Sequence, residues 1–236
     1  MLTRISSTVH MWSEIHGAAR NEPYLWNSYL IQVKDRDILI LVDPLPLSDE
    51  EIREVEEIGE PTHIILTCNW HLRESLAFKH KWECEVLLYE NHAGQAEIEF
   101  DCTFQDRDVL WGLVEVIRVP DVRHREEVGF YLKSDGVLIV GDLMSGGRKD
   151  CGIPDGELGF KDPAYLVDLA HARRSLKSLL HLEFNALCFG HGTPIRSGAK
   201  DVLRRFVECD TTWEELGRRR EEGFRLNPEL RDLHRT

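Results

Sequence analysis

Short apolar runs bounded by turn residues alternate with amphipathic stretches along this chain. Tyr24–Val33 (YLWNSYLIQV) and Ile38–Val42 (ILILV) read as successive strands, separated by the turn residues Lys34-Asp35-Arg36-Asp37. Ser48 with Glu51 three residues on forms a capping box, which predicts a helix over Asp49–Ile58 that stops at Gly59 ahead of Pro61. His63–Leu66 (HIIL) reads as a short buried strand, Trp70–Lys81 as a helix and Glu85–Tyr89 (EVLLY) as a further strand. Alternation of this kind puts helices on the faces of a sheet.

The second half is mixed. Val114–Val119, Val128–Leu132 and Val137–Val140 read as strands, the last two joined by the hairpin turn Ser134-Asp135-Gly136. Pro163–His181 reads as one long amphipathic helix, and Ala186–Phe189 (ALCF) as a final buried strand before Gly190. From about Ala199 the chain is helical and highly charged. With no linker or repeat in view, the expectation is one domain over residues 1–236, with 199–236 a helical C-terminal tail packed on it.

Composition narrows the function classes. The 236 residues carry 29 basic and 42 acidic side chains, a formal charge of −13, which opposes binding to phosphate backbones and anionic lipid. The run Arg218-Arg219-Arg220-Glu221-Glu222 mixes both signs and reads as a solvated helix face. No apolar run has the length of a membrane span and Met1-Leu2-Thr3-Arg4 does not open a signal segment, so a cytoplasmic protein is expected. The six cysteines include no C-x-x-C pair and read as free thiols, mostly buried.

Polar residues directly after buried strands are where α/β folds place their chemistry. Five such places occur: Asp43 after ILILV, the segment from Asn69 to Glu74 after HIILTC, His124 before VGFYL, Gly141-Asp142 after VLIV, and Gly190-His191-Gly192 after ALCF. His16-Gly17, Trp12 and Trp26 are candidates for the mouth of a substrate site. Gly146-Gly147-Arg148 reads as a loop over it, with Lys and Arg there able to hold an acidic substrate.

In order and spacing these five places resemble the metallo-β-lactamase fold superfamily, over roughly Tyr24 to Ile195. The most specific local match is Phe189-Gly190-His191-Gly192-Thr193-Pro194. The resemblance implies a four-layer αβ/βα sandwich, two mixed β-sheets with helices outside and the site at one edge between them. It also implies a ligand set. The family's His-x-His-x-Asp-His motif aligns with Asn69-Trp70-His71-Leu72-Arg73-Glu74, so three of its slots hold Asn69, Arg73 and Glu74. His71, His124, Asp142 and His191 keep ligand chemistry, and Asp43 is expected to be structural beside them.

Arg73 is the largest departure. A guanidinium stays protonated and cannot ligate a metal. Against a dication at roughly 4 Å it costs about 8 kcal/mol at an effective dielectric near 20. The expectation is that Arg73 takes the place of a second ion and pairs with Asp142, Glu74 or both. One zinc or iron ion would then sit on His71, His124 and Asp142, with Glu74 and His191 carrying protons or orienting water. The implied activity is metal-dependent hydrolysis of an ester, thioester or lactone-type bond in a small-molecule substrate, with no nucleic-acid or membrane partner and with the oligomeric state open, a homodimer included. The alternative is a catalytically inactive member that binds no metal and uses the fold as a binding scaffold.

Overall fold

The computed structural model describes residues 1–18, 23–123 and 126–226. Strands β1 (Thr3–Arg4), β2 (Val9–His16), β3 (Tyr24–Val33), β4 (Ile38–Val42), β5 (His63–Ile65), β6 (Glu85–Tyr89) and β7 (Cys102–Phe104) form a seven-stranded sheet in chain order. Its first half is antiparallel, whereas β4 to β7 run parallel. The second sheet contains β8 (Val109–Leu110), β9 (Val114–Arg118), β10 (Val128–Leu132), β11 (Val137–Ile139) and β12 (Ala186–Cys188), in the order β12-β11-β10-β9-β8. Only the β11–β12 pair is parallel there. Both sheets are therefore mixed.

The unbroken apolar runs are explained by burial on both faces of a strand. Ile40 and Val42 of β4 meet Val128, Phe130 and Leu132 of β10 in the core between the sheets. Leu39 and Leu41 point the other way, onto Val55 of α1 (Asp49–Ile58) and Phe78 and Trp82 of α2 (Ser75–Trp82). On the far side, Tyr131, Leu138 and Leu187 pack against Leu176 of α4 (Leu169–Ser178), Leu203 and Phe206 of α5 (Ala199–Glu208) and Trp213 and Leu216 of α6 (Asp210–Leu226). A short helix, α3 (Glu90–Ala93), follows β6. The layers run helix, sheet, sheet, helix. Helices α5 and α6 belong to the core of the outer layer, and residues 227–236 lie outside the described residues.

Two predicted helices differ. The one expected over 70–81 starts at Ser75, because Arg73 adopts a left-handed φ of 42° and the Glu74 N–H bonds Pro44 O at 3.0 Å instead of continuing a helix backwards. The long helix expected over 163–181 is broken. Asp162 caps a single 3₁₀ turn at Pro163–Tyr165, and Asp168 accepts from His171 N at 2.8 Å to start α4 afresh. Strand β2, which the apolar pattern did not single out, pairs along its whole length with β3.

Candidate active site

The carboxyl ends of β4, β5, β11 and β12 open at one edge of the two sheets, and the loops leaving them carry Asp43, Thr67 to Arg73, Asp142 and His191. Asp43 is buried with a left-handed φ of 49° that turns its carboxylate back beneath the β5 loop. There Oδ1 accepts the Thr67 N–H at 2.8 Å and Oδ2 accepts the Thr67 hydroxyl at 2.6 Å. His71 Nδ1 lies 2.8 Å from the same Oδ2. An ionised carboxylate only accepts, so Nδ1 carries a proton whether the ring is charged or neutral, and the outward Nε2 is the nitrogen that would give up its proton and offer a lone pair to a metal.

That Nε2 faces Asp142. His71 Nε2 is 3.6 Å and His191 Nε2 is 3.1 Å from Asp142 Oδ1, an oxygen that is buried without a hydrogen-bond partner. The three ligand atoms lie within 4.8 Å of one another. Burial opposes charge on every member. The Asp142 carboxyl is nonetheless held well below its usual range by His71 and His191. Burial also works against an imidazolium at His71, but Cys68, Asp43 and Asp142 together push its pKa well above the ordinary value. His191 moves down, mainly through burial.

Glycine makes this convergence sterically feasible. A Cβ on Gly190 would stand 2.7 Å from Asp142 Oδ1 and 2.9 Å from His71 Cε1. Gly141, at a φ of 53°, would put one 2.5 Å from the Thr67 hydroxyl. The loop bearing His191 is tied to the other sheet. Asn27 Nδ2 donates to Phe189 O at 3.0 Å and Gly192 O at 2.8 Å, and the Tyr29 hydroxyl donates to Phe189 O at 2.7 Å. Asn27 and Tyr29 were not foreseen, since a strand polar residue gives no hint of which loop it will meet.

A family model described as metallo-beta-lactamase superfamily matches residues 4–209. The chain belongs to the metallo-β-lactamase superfamily. Solved metallo-β-lactamase folds agree at low identity. One from Pontibacter korlensis has 16% identity and a TM-score of 0.64, covering 91% of this chain and 98% of its own. FIM-1 from Pseudomonas aeruginosa, solved in a mono-zinc form, has 16% identity and a TM-score of 0.61, covering 88% and 94%. A metal-soaked Flv1 flavodiiron core from Synechocystis has 14% identity and a TM-score of 0.65, covering 91% and 60%. No curated protein sequence matches the chain.

Against this metallo-β-lactamase frame, the structure brings His71, Asp142 and His191 together, with Asp43 directly behind His71. His124 lies outside the described residues. Arg73 does not pair with Asp142 or Glu74. Its Nη1 donates to Asn27 O at 2.7 Å and Asp43 O at 2.9 Å, and its guanidinium lies 5.4 Å from the Trp26 ring centroid. The left-handed backbone at Arg73 turns the side chain toward β3 and the end of β4, where the carbonyls of Asn27 and Asp43 accept from it, the latter also taking the Ser28 hydroxyl. Among the described residues no ion pair or side-chain hydrogen bond joins Glu74 to the trio, so the proton-carrying role expected for it has no geometric support. Asn69 donates to His92 O at 3.4 Å, away from Asp142.

Two residues that sequence reasoning passed over complete the site. Arg123 Nη1 is 3.4 Å from Asp142 Oδ2 and donates to Asp142 O at 3.0 Å. Glu127 Oε2 accepts the Asp142 N–H at 2.7 Å, and burial followed by the Asp142 charge pushes its pKa up to about 8. Their signal was two charged residues, four apart, flanking the start of a wholly buried strand.

The mouth differs from expectation in one residue. Trp12 is core, 2% exposed, with its indole N–H on Leu45 O at 3.1 Å. Trp26 is beside His191, ring centroids 5.6 Å apart, and His16 stacks on it at 4.2 Å. A cavity of about 320 Å³ opens next to Asp142 and His191, with Tyr24, Met144, Arg148 and Lys161 on its walls. Arg148 is buried, paired with Asp150 and laid over Tyr24 at 3.9 Å, so the Gly146–Arg148 segment is packed into the wall. Cys68, Cys84 and Cys188 are buried, whereas Cys102 and Cys209 are exposed, and all six thiols are free.

Proposed function

We propose that this superfamily member is a metal-dependent hydrolase that holds one divalent ion, zinc or iron, on His71, Asp142 and His191. The observation that carries the reading is the buried Asp142 Oδ1, which has no hydrogen-bond partner and faces two imidazole Nε2 atoms at 3.6 Å and 3.1 Å. Two imidazoles and a carboxylate are a donor set suited to either metal. The orientation of His71 by Asp43 is the support that metal-binding imidazoles ordinarily have. A divalent ion there would supply Lewis acidity and lower the pKa of water toward about 7.

The chain's own residues do the rest. Asp43 and Thr67 keep the His71 lone pair aimed at the cleft, and the Asn27 and Tyr29 bonds keep His191 in place. The 320 Å³ cavity, walled by Tyr24, Met144, Phe160 and Tyr165, fits the body of a small ester, thioester or lactone-type substrate. Lys161 stands over Tyr24 at 5.6 Å and puts a cation at the rim. A small-molecule substrate, without a nucleic-acid or membrane partner, agrees with the net charge of −13. Among the described residues no helix is long and apolar enough to cross a membrane.

A second reading, a binding scaffold without metal, draws support from the charge around the trio. The Arg73 charge works against an imidazolium at both His71, whose pKa is nonetheless raised overall, and His191, and Arg123 sits on Asp142. Metal content decides between them. Protein purified without chelator and measured by emission spectroscopy is expected to carry one zinc or iron per chain, lost in His71→Ala and His191→Ala. Metal-free protein that takes up no ion on dialysis against zinc or ferrous iron overturns the hydrolase reading.

A further inference from the structure

We propose that Arg123 stands in for a second cation at Asp142 and confines that carboxylate to one ion. The inference rests on the metal-site reading above and assigns a positioning role to a residue outside the ligand set.

The two oxygens of Asp142 have separate surroundings. Oδ1 faces His71 Nε2 and His191 Nε2 and has no hydrogen-bond partner. Oδ2 faces Arg123 Nη1 at 3.4 Å. The same Nη1 donates to the Asp142 carbonyl at 3.0 Å and to Glu127 Oε1 at 3.4 Å, while Glu127 Oε2 takes the Asp142 N–H at 2.7 Å. Asp142 is therefore gripped at its N–H, its C=O and one carboxylate oxygen by two residues that also contact each other. A carboxylate joins two ions either through both oxygens or by sharing one; here Oδ2 already faces a permanent cation, so a second ion would have to crowd onto Oδ1 against that charge.

Arg123 is fixed in this position. An isolated antiparallel bridge joins it to Leu166, and Val167 N donates to Val122 O at 3.2 Å. The groups that face its guanidinium are Glu127, Asp142 and Cys68, and the first two hold its charge by pairing with it. Arg73, by contrast, directs Nη1 to the carbonyls of Asn27 and Asp43 and leaves Asp142 to Arg123.

Calorimetric zinc titration of the full chain, repeated with cobalt and read by visible absorption, tests the proposal on wild type, Arg123→Gln and Arg123→Lys. Wild type is expected to bind one ion. Arg123→Gln is expected to bind zinc about tenfold more tightly or better, the scale set by one unit charge against a nearby dication under water-like screening. Its cobalt spectrum should also change as Oδ2 becomes free to coordinate, and Arg123→Lys, which keeps the charge, should stay near wild type. Equal affinity and an identical cobalt spectrum in wild type and Arg123→Gln overturn the role of Arg123 and leave the metal site standing. If wild type binds no ion and Arg123→Gln gains one, the hydrolase reading fails and the confinement of Asp142 to one ion fails with it, since Arg123 then excludes metal altogether. If neither binds, both fail. Should Arg123→Gln melt before titration, stoichiometry in wild type decides: one ion supports the proposal and two overturn it.

Discussion

Asp43 Oδ2 and His71 Nδ1 lie 2.8 Å apart, and this contact decides which imidazole nitrogen is basic. Burial would raise the Asp43 pKa, but His71, Arg73 and Thr67 outweigh it and hold the carboxyl below its ordinary value. The pair thus keeps the proton on Nδ1 and makes Nε2, toward Asp142, the nitrogen that loses its proton when the ring becomes neutral.

Asp43→Asn keeps the volume but puts an amide where an acceptor is needed. The expected result is a loss of metal affinity of about 10–100-fold, the usual cost of removing such support. Competition with a chromophoric chelator measures it. Asp43→Ala should in addition lower the melting temperature, because the Thr67 N–H loses its buried acceptor at a cost of about 1–3 kcal/mol. Unchanged melting of Asp43→Ala would remove its structural role.

Gly190→Ala places a methyl 2.7 Å from Asp142 Oδ1 and 2.9 Å from His71 Cε1. Backbone and loop must shift, at a cost of about 1–3 kcal/mol typical of overpacking. Denaturant unfolding should show that loss, and metal affinity should fall with it as the trio spreads. Gly152→Ala is a control for crowding, since a Cβ there meets nothing within 4 Å, although its φ of 68° adds backbone strain of its own.

Glu127 supplies a pH dependence with a definite sign. Its folded pKa is up at about 8, above the ordinary carboxyl value of 4.5. A raised folded pKa contributes stability that is fully present below the unfolded value and is lost as pH rises through the folded one. Wild-type melting temperature should therefore carry a downward component between about pH 5 and about pH 8. Glu127→Gln, neutral at every pH, should melt with a flatter profile across that window. Parallel profiles for the two proteins would place the titration elsewhere.

Asn27→Ala removes two buried bonds, to Phe189 O and Gly192 O, and leaves both carbonyls without that donor. A loss of about 1–3 kcal/mol is expected. Hydrogen exchange should quicken at the amides of residues 190–193 more than in β10, because the loop is held from β3 while β10 is held by its own sheet. Uniform quickening across the chain would mean that Asn27 serves global stability only.

Much of the frame was legible from local pattern. Strands such as Ile38–Val42 and Val128–Leu132 are buried on both faces, so their apolar runs mark them without help from neighbours. The capping box at Ser48 and Glu51 begins its helix as expected. Residues directly after those strands were legible for the same reason. A chain leaving a buried strand places its next polar group at the sheet edge, and Asp43, Asp142 and His191 all follow strands in this way. The helix expected over 70–81 failed at its start, because helical spacing in the sequence does not register a left-handed residue such as Arg73.

The sequence by itself determined a mixed α/β domain, the order of the strand-end residues and the chemistry each could offer, and the four layers came with the family resemblance those residues carry. Only the tertiary structure decided the pairing. Arg73 and Arg123 are both cations near the same loops, and nothing in their local sequence says which one meets Asp142. The choice rests on backbone geometry. A φ of 42° turns Arg73 toward the carbonyls of Asn27 and Asp43, while the bridge to Leu166 fixes Arg123 beside Asp142. Long-range contacts of this kind depend on where two sheets stack, and no local periodicity encodes that.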